Sequence, residues 1–392
     1  MLSRSPAPSV PSVAPRPDWD VFCKVIDNLG DIGVCWRLAR QLAAENGLRV
    51  RLWVDDLERF KLLCPPAEPL LATQVLQAIE VRRWETRFPE VSPARVVLET
   101  FACHLPQSFV ERMARESPPP VWINLDYLSA EDWVPGWHGL PSPHPRLPLV
   151  KHFFFPGFSR ETGGLLREGD LRARRDCFVR DTDLQLDLWR EIGFPPPPDE
   201  TLRVSLFAYD TPAIGDLLHA WEASEWPVCC LAPLSRTLPA IAAYCGQTLH
   251  AGDSIRRGGL EIRILPFLAQ ERYDALLWLC ELNFVRGEDS FVRAQWAARP
   301  LVWQIYPQSD GAHWSKLEAF LAHYGADLPT ATREVMRAFW QAWNGGSMAT
   351  AHWQRLAADL GTLQAHARRW DEQLAQQDDL CRRLVRFVRS KL

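Results

Sequence analysis

The sequence lacks a basic excess, a paired-cysteine motif and a glycine-rich nucleotide fingerprint. Its 44 Lys and Arg residues against 48 Asp and Glu residues give a formal net charge of −4, which argues against a general nucleic-acid-binding protein. Its ten cysteines include no C-x-x-C pair and no Cys/His group at zinc spacing. The adjacent Cys229 and Cys230 lie in an apolar run and are predicted to be core residues. These features predict a reduced, cytoplasmic protein.

Long apolar segments are also missing. No stretch is long and apolar enough to span a membrane, so we expect no membrane association. Residues 1–17 are rich in Pro, Ser and Ala and contain no apolar stretch, so they do not resemble a signal peptide and are predicted to form a disordered tail. The chain has instead a hydrophobic content of 47% over 392 residues, which is enough for two domains with full cores.

Apolar runs alternate with helical patterns, which predicts α/β domains with mostly parallel sheets. The segment Phe194–Asp199 contains four consecutive prolines and is the predicted stiff linker. We therefore predict a Rossmann-like amino-terminal domain over 18–193, a second over 200–364, and a carboxyl-terminal helix over 365–392 that is long enough to pack back on the first domain. The predicted strands are 21–26, 48–54, 95–99, 121–125, 149–155, 203–208, 227–232, 261–265, 282–285 and 301–304. The helical patterns after the linker are 271–280, 290–298, 314–324, 330–344 and 350–390, the last broken near Gly361.

The most informative segment follows the first predicted strand. There the loop 27–33 opens a helical pattern that runs from Val34 to Glu45. Such strand–loop–helix turns commonly hold phosphate, but Asp27 and Asp31 would repel a phosphate bound here. The loop is therefore better suited to binding a cation or to abstracting a proton. Taken singly, Asp31 would be an ordinary helix N-cap and Asp27 a turn residue.

A second loop follows the predicted strand 282–285. Gly287 would let the backbone approach a ligand, and Ser290 is the predicted N-cap of the next helix. Amides at the start of that helix, together with Arg286, could hold a diphosphate. Glu288 could accept hydrogen bonds from sugar hydroxyls. Two facing α/β domains would place both loops at a central cleft, because ligands bind at the carboxyl ends of parallel strands.

A carboxylate loop followed by an acidic, serine-containing loop resembles the pair found in GT-B glycosyltransferases. More narrowly, the chain resembles the bacterial protein-arginine rhamnosyltransferases that modify elongation factor P. The likeness covers nearly everything from Trp19 to the carboxyl terminus. It rests on residues 22–42, 98–106, 124–131, 157–168, 265–274, 285–297 and 305–308.

This resemblance implies a GT-B fold, a TDP-β-L-rhamnose donor held mainly by the second domain, and elongation factor P docked on the first. It implies that Asp31 is the general base and Asp27 its orienting partner, although spacing alone would allow the reverse. It also implies that the nucleotide-sugar site is built from Tyr209, Phe267, Gln270, Arg286, Glu288, Asp289 and Ser290. No metal or other cofactor is expected.

The acidic pair suits an arginine acceptor. A guanidinium is a cation with a pKa above about 12, so the enzyme must hold it and take a proton from it as the new bond forms. One carboxylate can orient the planar group while the other accepts the proton. A single displacement with one base predicts inversion at the anomeric carbon. Two alternatives are a GT-B glycosyltransferase with a small-molecule or lipid acceptor, and a non-catalytic two-lobed ligand-binding protein.

Overall fold

The computed structural model describes residues 16–26 and 29–392, in which the chain forms two sheets flanked by helices. The first sheet contains β1 (Trp19–Cys23), β2 (Val50–Val54), β3 (Thr73–Leu76), β4 (Ile79–Arg83), β5 (Val96–Thr100), β6 (Val121–Leu125), β7 (Pro141–Pro143) and β8 (Val150–Phe154). The second sheet contains β9 (Leu202–Leu206), β10 (Val228–Pro233), β11 (Ser254–Arg257), β12 (Leu260–Leu265), β13 (Leu282–Arg286) and β14 (Leu301–Gln304).

Helices connect most of these strands. Those before β9 are α1 (Gly30–Asn46), α2 (Leu57–Leu63), α3 (Gln107–Met113), α4 (Val134–Trp137), α5 (Leu171–Arg180) and α6 (Thr182–Ile192). The second sheet carries α7 (Ala213–Glu222), α8 (Leu238–Cys245), α9 (Gln270–Leu279) and α10 (Asp289–Trp296). The helices after β14 are α11 (Ala312–Tyr324), α12 (Thr330–Gly345), α13 (Thr350–Ala358), α14 (Leu360–Ala375) and α15 (Leu380–Arg389).

Both sheets are parallel except at their edges. The first has the order β3-β4-β2-β1-β5-β6-β8-β7 and the second the order β11-β12-β10-β9-β13-β14. The antiparallel pairs are β3 with β4, β7 with β8, and β11 with β12. In each sheet the strand order reverses at the first strand, β1 or β9, and such switch points are where open α/β sheets bind ligands.

The ten predicted strands are all present, and their ends differ from the prediction by at most about three residues. Strands β1, β2, β5 and β6 are buried along their whole length, which explains why they are visible as apolar runs. The strands that were not predicted are β3, β4, β7 and β11. Their residues alternate between more and less exposed positions or are mostly exposed, so their sequences contain no apolar run.

The prediction of one carboxyl-terminal helix over 365–392 is wrong. The chain breaks between α14 and α15, where the Leu380 N–H donates to the Leu165 carbonyl at 2.9 Å and the Asp379 side chain caps α15. Here an Asp cap and a tertiary backbone hydrogen bond satisfy groups that a continuous helix would pair internally. The break predicted near Gly361 is confirmed, since α13 ends just before α14 begins.

Contacts cross the predicted linker 194–199 in both directions. The segment lies outside helices and strands, yet α5 and α6, which precede it, pack on α9 of the second sheet. Helix α15, at the far end of the chain, packs on α1 of the first sheet. The boundary at 194–199 therefore stays a prediction. Of the predicted tail, residues 1–15 lie outside the described residues, whereas Arg16 pairs with Glu116 at 3.0 Å.

Two further sequence expectations concern cysteines and membrane spans. All ten cysteines are free thiols, and Cys177 alone among them is exposed. Within residues 16–26 and 29–392, the structure contains no helix that combines the length and the apolar character needed to cross a membrane.

We expect Leu384→Ala to destabilise the protein by about 2–5 kcal/mol, because the side chain is fully buried on the helix that packs on α1. Urea unfolding followed by tryptophan fluorescence measures the loss. The matched change Arg389→Ala, at an exposed position of the same helix, should stay within about 0.5 kcal/mol. Equal midpoints for Leu384→Ala and the unaltered protein would show that α15 contributes little to the fold.

Candidate active site

Asp31 is fixed at the end of the loop that follows β1. Helix α1 begins at Gly30, with Leu29 in the N-cap position and no side-chain cap, so Asp31 is a first-turn residue and not the N-cap. Its Oδ2 accepts a hydrogen bond from the Ile26 N–H at 2.8 Å, and its side chain is buried. The loop is held a second time, because the Val25 N–H donates to Asp55 Oδ1 at 2.9 Å. Asp31 is therefore a carboxylate presented in a defined orientation.

Asp27, the other member of the predicted acidic pair, lies outside the described residues. Its orienting role therefore stays a prediction.

The second loop turns at Gly287, which has a φ of 57°, a value that favours glycine. The prediction that Ser290 is an N-cap is wrong. Helix α10 begins at Asp289, with Glu288 in the N-cap position. Ser290 Oγ donates to the Arg286 carbonyl at 2.5 Å and accepts from the Arg286 N–H at 3.1 Å. Because Gly287 turns the chain sharply, the N-cap lies two residues before the predicted one, and the Ser290 hydroxyl bonds to the backbone of Arg286 within the loop.

Most of the predicted nucleotide-site residues lie around one cavity. Phe267, Gln270, Arg286, Asp289 and Ser290 all line it, together with Leu29, Gly30 and Arg37 from the first sheet's side. Tyr209 lies next to it through Arg286, as described below, whereas Glu288 lines a second cavity. The structure thus brings five of the seven predicted nucleotide-site residues to one cavity, and α1 lies against them.

Aromatic side chains hold the Arg286 guanidinium. Its central carbon lies 4.5 Å from the Phe207 ring centroid and 4.7 Å from that of Tyr209, at distances typical of cation–π contacts. The Tyr209 ring meets Tyr306 edge to face at 5.5 Å. Sequence reasoning missed Phe207, although its position just after β9, at the switch point, was a usable signal. It also missed Tyr306, and it missed Tyr273, which lines the cavity; burial raises the pKa of its hydroxyl.

Gln270 and Asp289 also contact the first sheet's helix α1. Gln270 Nε2 donates to the Gly33 carbonyl at 3.1 Å and to Asp289 Oδ2 at 3.2 Å. Arg37 Nε donates to Asp289 Oδ1 at 2.9 Å. A Cβ atom at Gly33 would lie 3.0 Å from Asp289 Oδ2, so the close approach of the two domains depends on glycine here.

A buried ion cluster continues from this contact. The Asp274 carboxylate accepts two hydrogen bonds from Arg37 at 3.0 Å each, and two from Arg293 at 3.0 and 2.7 Å. Arg293 Nη1 also donates to Glu168 Oε2 at 2.7 Å. Arg37 and Glu168 precede the second sheet in the chain, whereas Asp274 and Arg293 lie on α9 and α10. The cluster therefore joins the two halves of the molecule.

Asp31 and Glu288 line a second cavity of about 250 Å³. Glu288 Oε1 accepts a hydrogen bond from the Leu128 N–H at 2.8 Å. Burial raises the pKa of Glu288 well above its ordinary value of 4.5, and Asp31 and Asp126 add to the effect while Lys316 and the Leu128 N–H oppose it. The cavity thus brings a carboxyl group from the first loop and one from the second into one space, and burial favours the neutral form of the second, which suits acid–base chemistry on a bound substrate.

Comparisons with known proteins identify the family of the chain. Residues 19–389 match the family described as Elongation-Factor P (EF-P) rhamnosyltransferase EarP. The chain belongs to this family. A protein-arginine rhamnosyltransferase of Pseudomonas putida is 48% identical over 375 residues, which cover 95% of this chain and 99% of that protein. The Pseudomonas aeruginosa protein of the same name is 46% identical over 370 residues, 94% of this chain and 98% of its own.

A solved structure is also similar. It was described as the structural basis for EarP-mediated arginine glycosylation of translation elongation factor EF-P. It is 36% identical to this chain, covers 95% of it and 99% of its own length, and has a TM-score of 0.68. The predicted EarP-family membership is confirmed, as is the predicted GT-B fold, with two Rossmann-like sheets facing a cleft. Membership also confirms the prediction of an enzyme and argues against a non-catalytic binding protein.

The buried cluster predicts an acid-sensitive contact between the domains. Burial opposes ionisation of Glu168, but Arg293 and Arg37 outweigh it and lower the pKa from 4.5 to about 2. Because the folded-state pKa is the lower one, ionised Glu168 stabilises the protein above about pH 4.5, by at most about 3 kcal/mol, and this is lost as the pH falls towards 2.

We therefore expect Glu168→Gln to lower the free energy of unfolding at pH 7 and to make a smaller difference, by about half or more, at pH 3. Urea unfolding of both proteins at the two pH values measures this. The exposed Glu200→Gln is the control and should change little at either pH. A difference of the same size at pH 3 and pH 7 would contradict the assigned charge interaction.

Proposed function

We propose that the chain transfers L-rhamnose from TDP-β-L-rhamnose to an arginine side chain of elongation factor P, with inversion at the anomeric carbon, which would activate that factor for translation of polyproline stretches. Family membership and the names of the relatives support the reaction class. The observation that carries the proposal is the cavity in which Asp31 of the first loop and Glu288 of the second face the same space. We also propose a cytoplasmic location, since ten free thiols suit a reducing compartment.

Asp31 is the proposed base. The acceptor nitrogen forms a bond to the anomeric carbon, the bond from that carbon to the diphosphate oxygen breaks, and one guanidinium proton passes to the Asp31 carboxylate. The hydrogen bond from the Ile26 N–H fixes the orientation of the carboxylate that is proposed to take the proton. In this proposal Asp27 accepts a hydrogen bond from the guanidinium and orients its plane.

The donor is proposed to lie in the cavity lined by Phe267, Gln270, Arg286 and Ser290. Arg286, steadied by its aromatic neighbours, and the first amides of α10 would stabilise the negative charge that grows on the departing TDP. Glu288, whose pKa is raised by burial, would hydrogen-bond a sugar hydroxyl in the adjoining cavity. Attack from the side opposite to the diphosphate gives an α-linked product.

Purified protein, TDP-β-L-rhamnose and elongation factor P test the proposal directly. Intact-mass spectrometry should show one added deoxyhexose on the factor, fragmentation should place it on arginine, and nuclear magnetic resonance should give the α anomer. Modification of a small molecule or lipid in place of the protein would favour the alternative acceptor. A β-linked product would contradict inversion.

We expect Asp31→Asn to lower turnover by about 10²–10⁴-fold, since it removes the proton acceptor while keeping a hydrogen-bond acceptor for the Ile26 N–H. The affinity for TDP, measured by calorimetry, should stay unchanged. Asp55→Asn is the matched control, because Asp55 holds the same loop through the Val25 N–H and has no proposed part in the chemistry. If Asp55→Asn loses as much turnover as Asp31→Asn, loop position and not proton transfer explains the effect.

We expect transfer to continue in EDTA. The proposed phosphate site offers amides and an arginine, and no group of three or more potential metal-binding side chains occurs in the part of the chain that the structure describes. Rates with EDTA, and with added Mg²⁺ or Mn²⁺, should agree within about twofold. Loss of activity in chelator that Mg²⁺ or Mn²⁺ restores would show that a metal takes part.

A further inference from the structure

A carboxylate in a diphosphate site needs an explanation. Asp289 lines the proposed donor cavity beside Arg286 and Ser290, where its negative charge would repel the diphosphate of TDP. Two like charges a few ångströms apart near a protein surface repel each other strongly. The site accepts its donor only if the charge of Asp289 is compensated. This argument rests on the proposed function.

The compensating charge comes from the other domain. Arg37, on α1, donates from Nε to Asp289 Oδ1 at 2.9 Å, and its side chain is almost fully buried. Burial and the nearby Arg293 tend to lower the pKa of Arg37, but Asp274, Asp289 and Glu168 outweigh them and raise it. The guanidinium therefore stays charged whatever the pH at which the enzyme works.

We propose that Arg37 is a positioning residue of the donor site, which pairs with Asp289 from across the cleft and offsets part of its charge, so that the loop 286–290 accepts a diphosphate. Donor binding by the second domain then depends on contact with the first. The same helix carries Asp31 in its first turn, so one element both supplies the proposed base and prepares the donor loop.

The other partners in the cluster would not replace Arg37. Arg293 already donates to Asp274 at 3.0 and 2.7 Å and to Glu168 at 2.7 Å. Without Arg37, Asp274 would keep this partner, whereas Asp289 would keep the neutral Gln270 amide at 3.2 Å. Loss of Arg37 therefore leaves the uncompensated charge on Asp289, the member of the cluster that lines the donor cavity.

Calorimetric titration with TDP tests the proposal on three variants. These are Arg37→Gln, Arg37→Lys, and the double variant that combines Arg37→Gln with Asp289→Asn. Arg37→Gln should weaken TDP binding roughly tenfold or more, and Arg37→Lys, which keeps the charge, should weaken it less. The double variant should bind TDP more tightly than Arg37→Gln, because removing the carboxylate removes the repulsion. Thymidine, which has no diphosphate, should bind all the variants with the same affinity.

Arg51→Gln is the matched control. Arg51 is a buried arginine that binds Asp20 with two hydrogen bonds of 2.6 and 2.8 Å near the amino ends of β1 and β2, away from the cleft. This variant should lose stability and keep the TDP affinity. If the double variant binds TDP as weakly as Arg37→Gln, the role of Arg37 is packing and the proposal is overturned.

Gly33→Ala keeps the test open if Arg37→Gln does not fold. The new Cβ would lie 3.0 Å from Asp289 Oδ2, so this carboxylate would have to shift by a few tenths of an ångström relative to Arg37. Weaker TDP binding supports the proposal, and unchanged binding overturns it. Transfer of rhamnose by the unaltered protein is measured in parallel, so failure of the proposed function is distinguished from failure of this inference.

Discussion

The structure depends most on the buried ion cluster between its two halves. Two arginines, Arg37 and Arg293, share the Asp274 carboxylate in four hydrogen bonds of 3.0 Å or less. A buried ion pair adds little net stability over an apolar contact, because its groups lose their hydration, but removal of one partner costs about 3–5 kcal/mol. Its main effect is geometric, because guanidinium–carboxylate pairs fix both distance and orientation. The cluster thus sets how α1 faces α9 and α10.

That orientation brings the candidate functional residues of the two sheets together at the cleft. Parallel strands carry their loops at one edge of each sheet, and the two switch points present the loop after β1 and the loop after β13. With α1 held against α10, Asp31 and Glu288 line one cavity, and Arg286 and Ser290 line its neighbour. The proposed proton acceptor and the proposed leaving-group site are therefore adjacent, and residues from both halves of the chain line each cavity.

The local patterns in the sequence determined a large part of this. Strands buried on both faces are visible as apolar runs, so β1, β2, β5, β6 and the core strands of the second sheet were predicted. The edge strands β3, β7 and β11 were missed, because they are half exposed and their pairing is decided by a neighbour. The resemblance to known rhamnosyltransferases selected Asp31 and the donor-loop residues, and their motifs are long enough to be read without coordinates.

Only the tertiary structure decided what these residues touch. Ser290 was expected to cap a helix and instead closes its loop through Arg286, because the turn at Gly287 starts the helix earlier. Asp289 was assigned to the nucleotide site, and its pairing with Arg37, 252 positions away in the chain, has no signal in either segment. The sequence by itself specifies the residue types and the local turns of the site. Contacts between the domains depend on packing, which no local sequence pattern predicts.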